Sequence, residues 1–223
     1  AHVCGYPITP QNEITAWFAL ELPKRGGVFV QSQSEVGSIN MVQGASAAGA
    51  RVMTSTSSPG WSLMQEGISF LALGELPAVI VLVQRGGPGT GTMRHAQMDY
   101  LSATRGGGHG GYKTIVLAPY SAQEIHDLIQ LAFYLADKYR NPVVLLSDGI
   151  LGQMREPVRI EPIIFPPLPE KDWAITGKAK HKDGKFREGL GGRGMVYPAE
   201  YIGALKALDK KYRQMQETEV RYE

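Results

Sequence analysis

Two charged side chains fall where an α/β protein would do chemistry. Glu35 follows the run Val28-Phe29-Val30-Gln31, and Arg85 directly follows Ala78 to Gln84, an almost unbroken apolar run. Ligands collect beyond the carboxyl ends of the strands in open α/β sheets, so a carboxylate at such a point is a candidate proton partner and a guanidinium a candidate bidentate clamp for an anion. Both residues also have plain readings. Ser32 and Glu35 have the spacing of a capping box, and an acid in a first helical turn is favoured by the helix dipole; Arg85 could be a surface residue in a polar loop. Position speaks for function in both cases. Gly37 and Gly44 lie inside the helix expected after Glu35, where glycine costs about 1 kcal/mol relative to alanine, and they suggest close approach of something to that backbone.

Other chemistry-bearing residues read more simply. Gly106, Gly108 and Gly111 satisfy a dinucleotide fingerprint spacing, but that motif needs a strand before it and a helix after it; here a loop precedes and the strand candidate Thr114 to Ala118 follows. No Gly-Lys-Ser or Gly-Lys-Thr closes a P-loop, since Tyr112 rather than glycine precedes Lys113-Thr114, so the stretch Arg85 to Gly111 reads as a shaped active-site loop rather than a nucleotide site. His109 sits between glycines in that loop; His95, His126 and His181 have no metal-ligand spacing and read as surface or structural. Met41, Met53 and Met64 read as core filling. The single cysteine, Cys4, excludes an internal disulfide and cannot alone make a zinc or iron–sulfur site, so any cluster must sit on another chain.

The elements that must position these residues follow from the pattern. The 223 residues are 43% hydrophobic, enough for one sizeable core, and 23 basic against 21 acidic side chains leave a net charge of +2. No global field argues for nucleic acid or a membrane surface. The longest apolar stretch, Ala78 to Val83, is far short of the roughly 20 residues of a membrane helix, and no leader precedes it, so the chain reads as cytoplasmic. It begins at Ala1 with an apparent strand, and its natural start is expected to be missing. Short strand candidates, Val28 to Gln31, Arg51 to Ser55, Ala78 to Gln84, Thr114 to Ala118 and Pro142 to Ser147, alternate with helix candidates Gln11 to Glu21, Glu35 to Ala48 (capped by Ser34 or Ser32), Gly60 to Gly74 and Ala122 to Lys138. Several strands are continuous Val, Ile or Leu, as buried parallel strands require. The expectation is a five-stranded, doubly wound parallel α/β sheet over residues 1–160. Residues 161–223 then form a Pro-rich connector, a basic glycine-rich stretch from Lys178 to Gly194, and an amphipathic helix from Pro198 to about Glu217 carrying Tyr201, Leu205, Leu208 and Tyr212.

With these residues in view, the chain resembles the pyrimidine-binding, alpha-type subunit of 2-oxoacid:ferredoxin oxidoreductases. The resemblance is carried in order by Gly5-Tyr6-Pro7-Ile8-Thr9-Pro10, by Phe29-Val30-Gln31 leading to Glu35 and Ile39-Asn40, by Gly44 to Ala50, by Val83-Gln84-Arg85-Gly86-Gly87-Pro88, and by the closing Glu219-Val220-Arg221-Tyr222-Glu223. It implies a thiamine-diphosphate-binding fold in which this domain holds the aminopyrimidine while a partner subunit binds the diphosphate and its Mg2+. Glu35 matches the glutamate that hydrogen-bonds a pyrimidine ring nitrogen. Thr9 and Arg85 match substrate-contacting positions. The resemblance also implies that Tyr6 and Pro7 lie beside the cofactor, with packing beside the motif as the alternative for Tyr6. The implied reaction is oxidative decarboxylation of a 2-oxoacid to acyl-coenzyme A, with electrons passing through iron–sulfur clusters on partner chains to ferredoxin. Its implied partners are the diphosphate-binding subunit and the gamma-type and ferredoxin-type subunits.

The segments Pro10 to Ile14, Arg105 to Gly110 and Ile150 to Met154 resemble the branched-chain, 2-oxoisovalerate-type members, while Gly89-Thr90-Gly91 falls where these and the 2-oxoglutarate members vary; both substrates stay open. Some family features are missing. The helix before the first strand and the domain after Glu223 are not found, and Ser147-Asp148-Gly149 lacks the context of a magnesium-diphosphate motif. The chain is therefore expected to be inert alone. A non-catalytic assembly domain of the same fold is the alternative, and Glu35, Thr9 and Arg85 together speak against it.

Overall fold

A computed structural model of the chain describes residues 1–175, 177, 180, 182–184 and 198–221. Most of the expected glycine-rich stretch, together with His181, Tyr222 and Glu223, lies outside the described residues. Six strands form one sheet: β1 (His2–Gly5), β2 (Val28–Gln31), β3 (Val52–Ser57), β4 (Ala78–Gln84), β5 (Ile115–Leu117) and β6 (Pro142–Asp148). They lie in the order β2-β1-β3-β4-β6-β5 with every pairing parallel. The expected count of five strands is corrected to six, because the N-terminal run His2 to Gly5 pairs on both sides and is as much a sheet strand as the others.

The helices are α1 (Asn12–Glu21), α2 (Glu35–Ala47), α3 (Ser58–Leu73), α4 (Tyr100–Arg105), α5 (Ala122–Tyr139), α6 (Gly149–Gln153) and α7 (Pro198–Thr218). The short α4 and α6 were not expected from the pattern, since neither is long enough to show a helical period. Strand alternation divides the core in two. Cys4, Val52, Ile80, Leu82, Val144 and Leu146 face α2 and α3, whereas Val3, Met53, Val79, Val81, Val83, Val143 and Leu145 face α1, α5 and α7. The C-terminal helix joins the second face through Leu208, Tyr212 and Met215, while Tyr201 is exposed.

Two expectations about burial need correction. Val28 to Gln31 is an edge strand whose Val28 and Val30 are exposed, not a buried one, since only β1 pairs with it. Met53 and Met64 do fill the core, but Met41 is exposed on the outer surface of α2.

Candidate active site

The chain leaves β1 towards β2 on one side and later lays β3 on the other, so the sheet order reverses at β1 and β3. The crevice beyond their carboxyl ends is where this architecture binds ligands. Loops and helix starts there carry Tyr6, Pro7 and Thr9 after β1, Glu35 after β2, Ser58 to Gly60 after β3 and Arg85 after β4.

Glu35 opens α2 and is 6% exposed. The capping-box pairing of Ser32 with Glu35 does not form. Ser34 is the N-cap and its hydroxyl accepts the Gly37 N–H at 3.1 Å, while Ser32 Oγ turns to the Ser34 carbonyl at 2.8 Å and to Ser38 Oγ at 2.5 Å. Glu35 is thus freed from capping. Its side chain lies over Gly60 of α3, where an added Cβ would come within 2.7 Å of Glu35 Cγ, 2.8 Å of its Oε1 and 2.2 Å of Thr56 Oγ1. Among the described residues no hydrogen bond or ion pair reaches the carboxylate. An acid nine-tenths buried without a partner is costly unless something else takes the bond.

The close approach inferred for Gly37 and Gly44 belongs to a different helix. Nothing lies within 4 Å of a Cβ at Gly44, and contacts at Gly37 are ordinary. The glycines that matter face α2 from α3: Gly60 admits Glu35, and Gly67 admits Ile39, whose Cγ2 would lie 2.5 Å from an added Cβ. The two helices are drawn together at these points, and Glu35 is set in the seam.

Arg85 is 5% exposed. Its backbone sits at the end of β4, yet Nη1 donates to the Thr9 carbonyl at 2.8 Å in the loop after β1. Since β3 lies between β4 and β1, the side chain crosses the end of β3. Nη2 donates to the Thr90 carbonyl at 2.7 Å, and Nε has no partner among the described residues. No carboxylate pairs with this cation among the described residues. A buried guanidinium held by two neutral carbonyls, with only two of its five N–H donors engaged among the described residues, is suited to receive an anion.

Alternation along β3 separates the two halves of the crevice. Thr56 lies on the α2–α3 face with Glu35, whereas Ser55 and Ser57 share the opposite face with Arg85. Ser55 Oγ donates to Gln11 Oε1 at 2.6 Å, and Gln11 Nε2 donates to the Tyr6 carbonyl at 3.0 Å, which fixes the loop carrying Tyr6, Pro7 and Thr9. Ser57 is fully buried and its hydroxyl has no partner among the described residues. Thr9 is half-buried with its hydroxyl oxygen accepting from Asn12 at 3.3 Å; Tyr6 is half-buried and Pro7 exposed. The structure therefore brings Thr9 and Arg85 into direct contact, with Glu35 in a separate recess across the end of β3.

Gly60, Gln11, Ser57, Ser58 and Asp99 were not singled out by sequence, because their roles depend on contacts far apart in the chain. His95, read from sequence as surface or structural, is exposed and packs against Gly149 beside Pro10 at the same edge: a Cβ on Gly149 would lie 2.5 Å from His95 Nδ1 and 3.4 Å from Pro10 Cγ. The nearby Asp148 carboxyl accepts from Ile150 N–H and Leu151 N–H at 2.9 and 3.0 Å and from Gln97 at 2.8 Å. Burial works against its ionisation, but the Leu151 N–H, the Gln97 amide, the Ile150 N–H and the charge of His95 together hold it below the usual range. In the glycine-rich loop a helix, α4, precedes Gly106 and a strand follows Gly111, so a dinucleotide fingerprint is not built. The loop is instead pinned to α3 by Tyr112 OH, which bonds Gln65 and the N–H groups of Gly107 and Gly108, and by Ser69 on the His109 carbonyl. No helix among the described residues is long and apolar enough to cross a membrane.

Residues 1–223 match the family described as pyruvate flavodoxin/ferredoxin oxidoreductase, thiamine diP-bdg. The chain is 56% identical over 173 residues to ketoisovalerate oxidoreductase subunit VorB of Methanothermobacter marburgensis, covering 78% of this chain and 49% of that protein. It is 51% identical over 154 residues to 2-oxoglutarate synthase subunit KorA of Methanocaldococcus jannaschii, covering 69% of this chain and 42% of that protein. Among solved structures it is similar to 2-oxoglutarate:ferredoxin oxidoreductase from Magnetococcus marinus with 2-oxoglutarate, coenzyme A and succinyl-CoA bound, at a TM-score of 0.75 and 30% identity over 99% of this chain and 42% of that one. The chain spans about half the length of these relatives.

Proposed function

The chain belongs to the pyruvate flavodoxin/ferredoxin oxidoreductase, thiamine-diphosphate-binding family, and on that premise we propose that it supplies the pyrimidine-binding half of a 2-oxoacid:ferredoxin oxidoreductase site. The observation that carries this reading is Glu35, a buried carboxylate without a partner among the described residues, seated over Gly60 beside Thr56 at the switch point of the sheet. Such a recess suits a flat heterocycle with one ring nitrogen to bond, and Tyr6 and Pro7 border the crevice from the loop after β1. The residues present therefore fit an aminopyrimidine.

Each residue then has a physical task. Glu35 holds a proton at the pyrimidine nitrogen, in a setting where burial keeps competing water away. Arg85 receives the 2-oxoacid carboxylate on its guanidinium, and the Thr9 hydroxyl orients the reacting end of the same molecule. Thiamine diphosphate, when bound, supplies the electron sink that decarboxylation requires. The diphosphate, its Mg2+ and the iron–sulfur clusters belong on partner chains in this reading: a diphosphate-binding subunit and gamma-type and ferredoxin-type subunits. Coenzyme A takes the acyl group and ferredoxin the electrons. The complex is cytoplasmic, where both acceptors are found. Residues 1–160 serve as the pyrimidine-binding domain and 161–223 as a connector and helix.

The favoured substrate is a branched-chain 2-oxoacid, supported by 56% identity to the ketoisovalerate subunit. The second reading, 2-oxoglutarate, is supported by 51% identity to the 2-oxoglutarate synthase subunit and by the likeness to the 2-oxoglutarate enzyme. The test is co-expression with the partner subunits and an assay of coenzyme A-dependent viologen reduction over a panel of 2-oxoacids. Preferential turnover of 2-oxoisovalerate is expected. Preference for 2-oxoglutarate would select the second reading, and an assembled, cofactor-loaded complex reducing viologen with no 2-oxoacid would leave only an assembly role.

A further inference from the structure

Arg85 can meet a carboxylate only if the loop it opens returns each time to the same place. That loop is tied at its base by residues distant from it in sequence. Ser58, the first residue of α3, accepts the Arg85 N–H on its Oγ at 2.9 Å and lies 3.2 Å from the Arg85 carbonyl. The same Oγ makes a short bond to a carboxylate oxygen of Asp99, at the far end of the loop. The Asp99 N–H in turn donates to Gln84 Oε1 at 3.0 Å.

A hydroxyl carries one proton, so Ser58 can donate to only one of its two acceptors at a time. The bond to an ionised carboxylate is the stronger, leaving the Ser58 oxygen to receive the Arg85 N–H. Asp99 has no cationic partner among the described residues, and burial raises its pKa while the Ser58 bond pulls it down. Asp99 closes residues 86–98 at the base, so that the Thr90 carbonyl lands on Arg85 Nη2.

We propose that Ser58 and Asp99 are positioning residues for Arg85, a hydroxyl–carboxylate clasp that shuts the Arg85–Asp99 loop and holds the guanidinium across the end of β3 to receive the 2-oxoacid carboxylate. This rests on the reading of Arg85 as the carboxylate-binding residue. It extends that reading to two side chains that never touch substrate.

The test uses the assembled oxidoreductase with all its subunits and the 2-oxoacid that the wild-type complex prefers. Ser58→Ala and Asp99→Asn should each raise KM for the 2-oxoacid about tenfold with kcat within about threefold and KM for coenzyme A unchanged. Ser58→Thr, which keeps the hydroxyl, should restore KM to within about twofold. Adding Ser58→Ala to Arg85→Ala should raise KM no further than Arg85→Ala alone, because the clasp acts only through that residue. If Ser58→Ala fails to assemble, the near-isosteric Asp99→Asn carries the measurement. An unchanged 2-oxoacid KM in both clasp variants, with a raised KM in Arg85→Ala, would overturn the clasp and spare the Arg85 reading. An unchanged KM in Arg85→Ala would remove that reading and the clasp with it. Equal loss for 2-oxoacid and coenzyme A would mean a merely structural contact and also overturn the proposal.

Discussion

Gly60→Ala is the smallest change that should displace the carboxylate on which the proposed site depends. The new methyl would sit 2.2 Å from Thr56 Oγ1 and 2.7 and 2.8 Å from Glu35 Cγ and Oε1, all well inside contact distance. Thr56 is fully buried in the middle of the sheet and cannot withdraw, so Glu35 must move. Overpacking of this kind costs about 1–3 kcal/mol, against a gain of about 1 kcal/mol from replacing a helical glycine with alanine. The net loss of about 1 kcal/mol should lower Tm by a few degrees, at about 2–4 °C per kcal/mol for a chain of this size. The functional loss should be far larger, because moving a reacting group by about 1 Å can cost about a hundredfold in rate. Gly44→Ala is the control: nothing lies within 4 Å of its Cβ, so it should gain up to about 1 kcal/mol and leave turnover alone. Thermal melts of both variants, with viologen-coupled turnover of the assembled complex, make the comparison. Wild-type turnover and an unshifted melt in Gly60→Ala would refute the argument that Glu35 is wedged in the α2–α3 seam.

Two further outcomes follow from side-chain environments. Cys4 is buried and its thiol pKa is raised by desolvation, so a disulfide reagent at mildly alkaline pH should label it only as fast as the chain unfolds; immediate labelling would contradict its burial. Asp148 caps α6 with a carboxyl held below the usual range, so its contribution is complete above the unfolded value of about 4 and disappears as pH falls through the lower folded value. Asp148→Ala should therefore cost about 1 kcal/mol near neutrality, with the gap to wild type closing in melts taken towards pH 3. A gap that stays constant over that range would show that the carboxylate charge is not what stabilises the cap.

How much of this was readable from the residues depends on how far apart the contacting residues lie. The buried strands β4 and β6 announced themselves as continuous apolar runs, and Ser121 capped α5 as its type suggests, its hydroxyl accepting the Glu124 N–H at 3.1 Å. Val28 to Gln31 looked equally buried, because β-branched composition does not distinguish a central strand from an edge; only the sheet order does. Glu35 was legible through its place after a strand, but its freedom from capping was not. Ser32 and Ser34 are both plausible caps, and the choice was made by Ser32 turning to Ser38. The glycines were read for the right reason on the wrong helix, since sequence cannot show that Gly60 and Gly67 face α2. The Ser58–Asp99 clasp and the packing of His95 on Gly149 join residues more than 40 positions apart, beyond the reach of periodicity or local spacing.

The central claim is that the Glu35 carboxylate serves the cofactor's aminopyrimidine. Glu35→Gln in the assembled complex tests it most directly, since glutamine keeps the volume and most of the packing but cannot share a proton in the same way. A loss of at least about a hundredfold in 2-oxoacid-dependent viologen reduction is expected, with subunit composition and bound thiamine diphosphate unchanged. Turnover within about tenfold of wild type, in a complex equally loaded with cofactor, would contradict it.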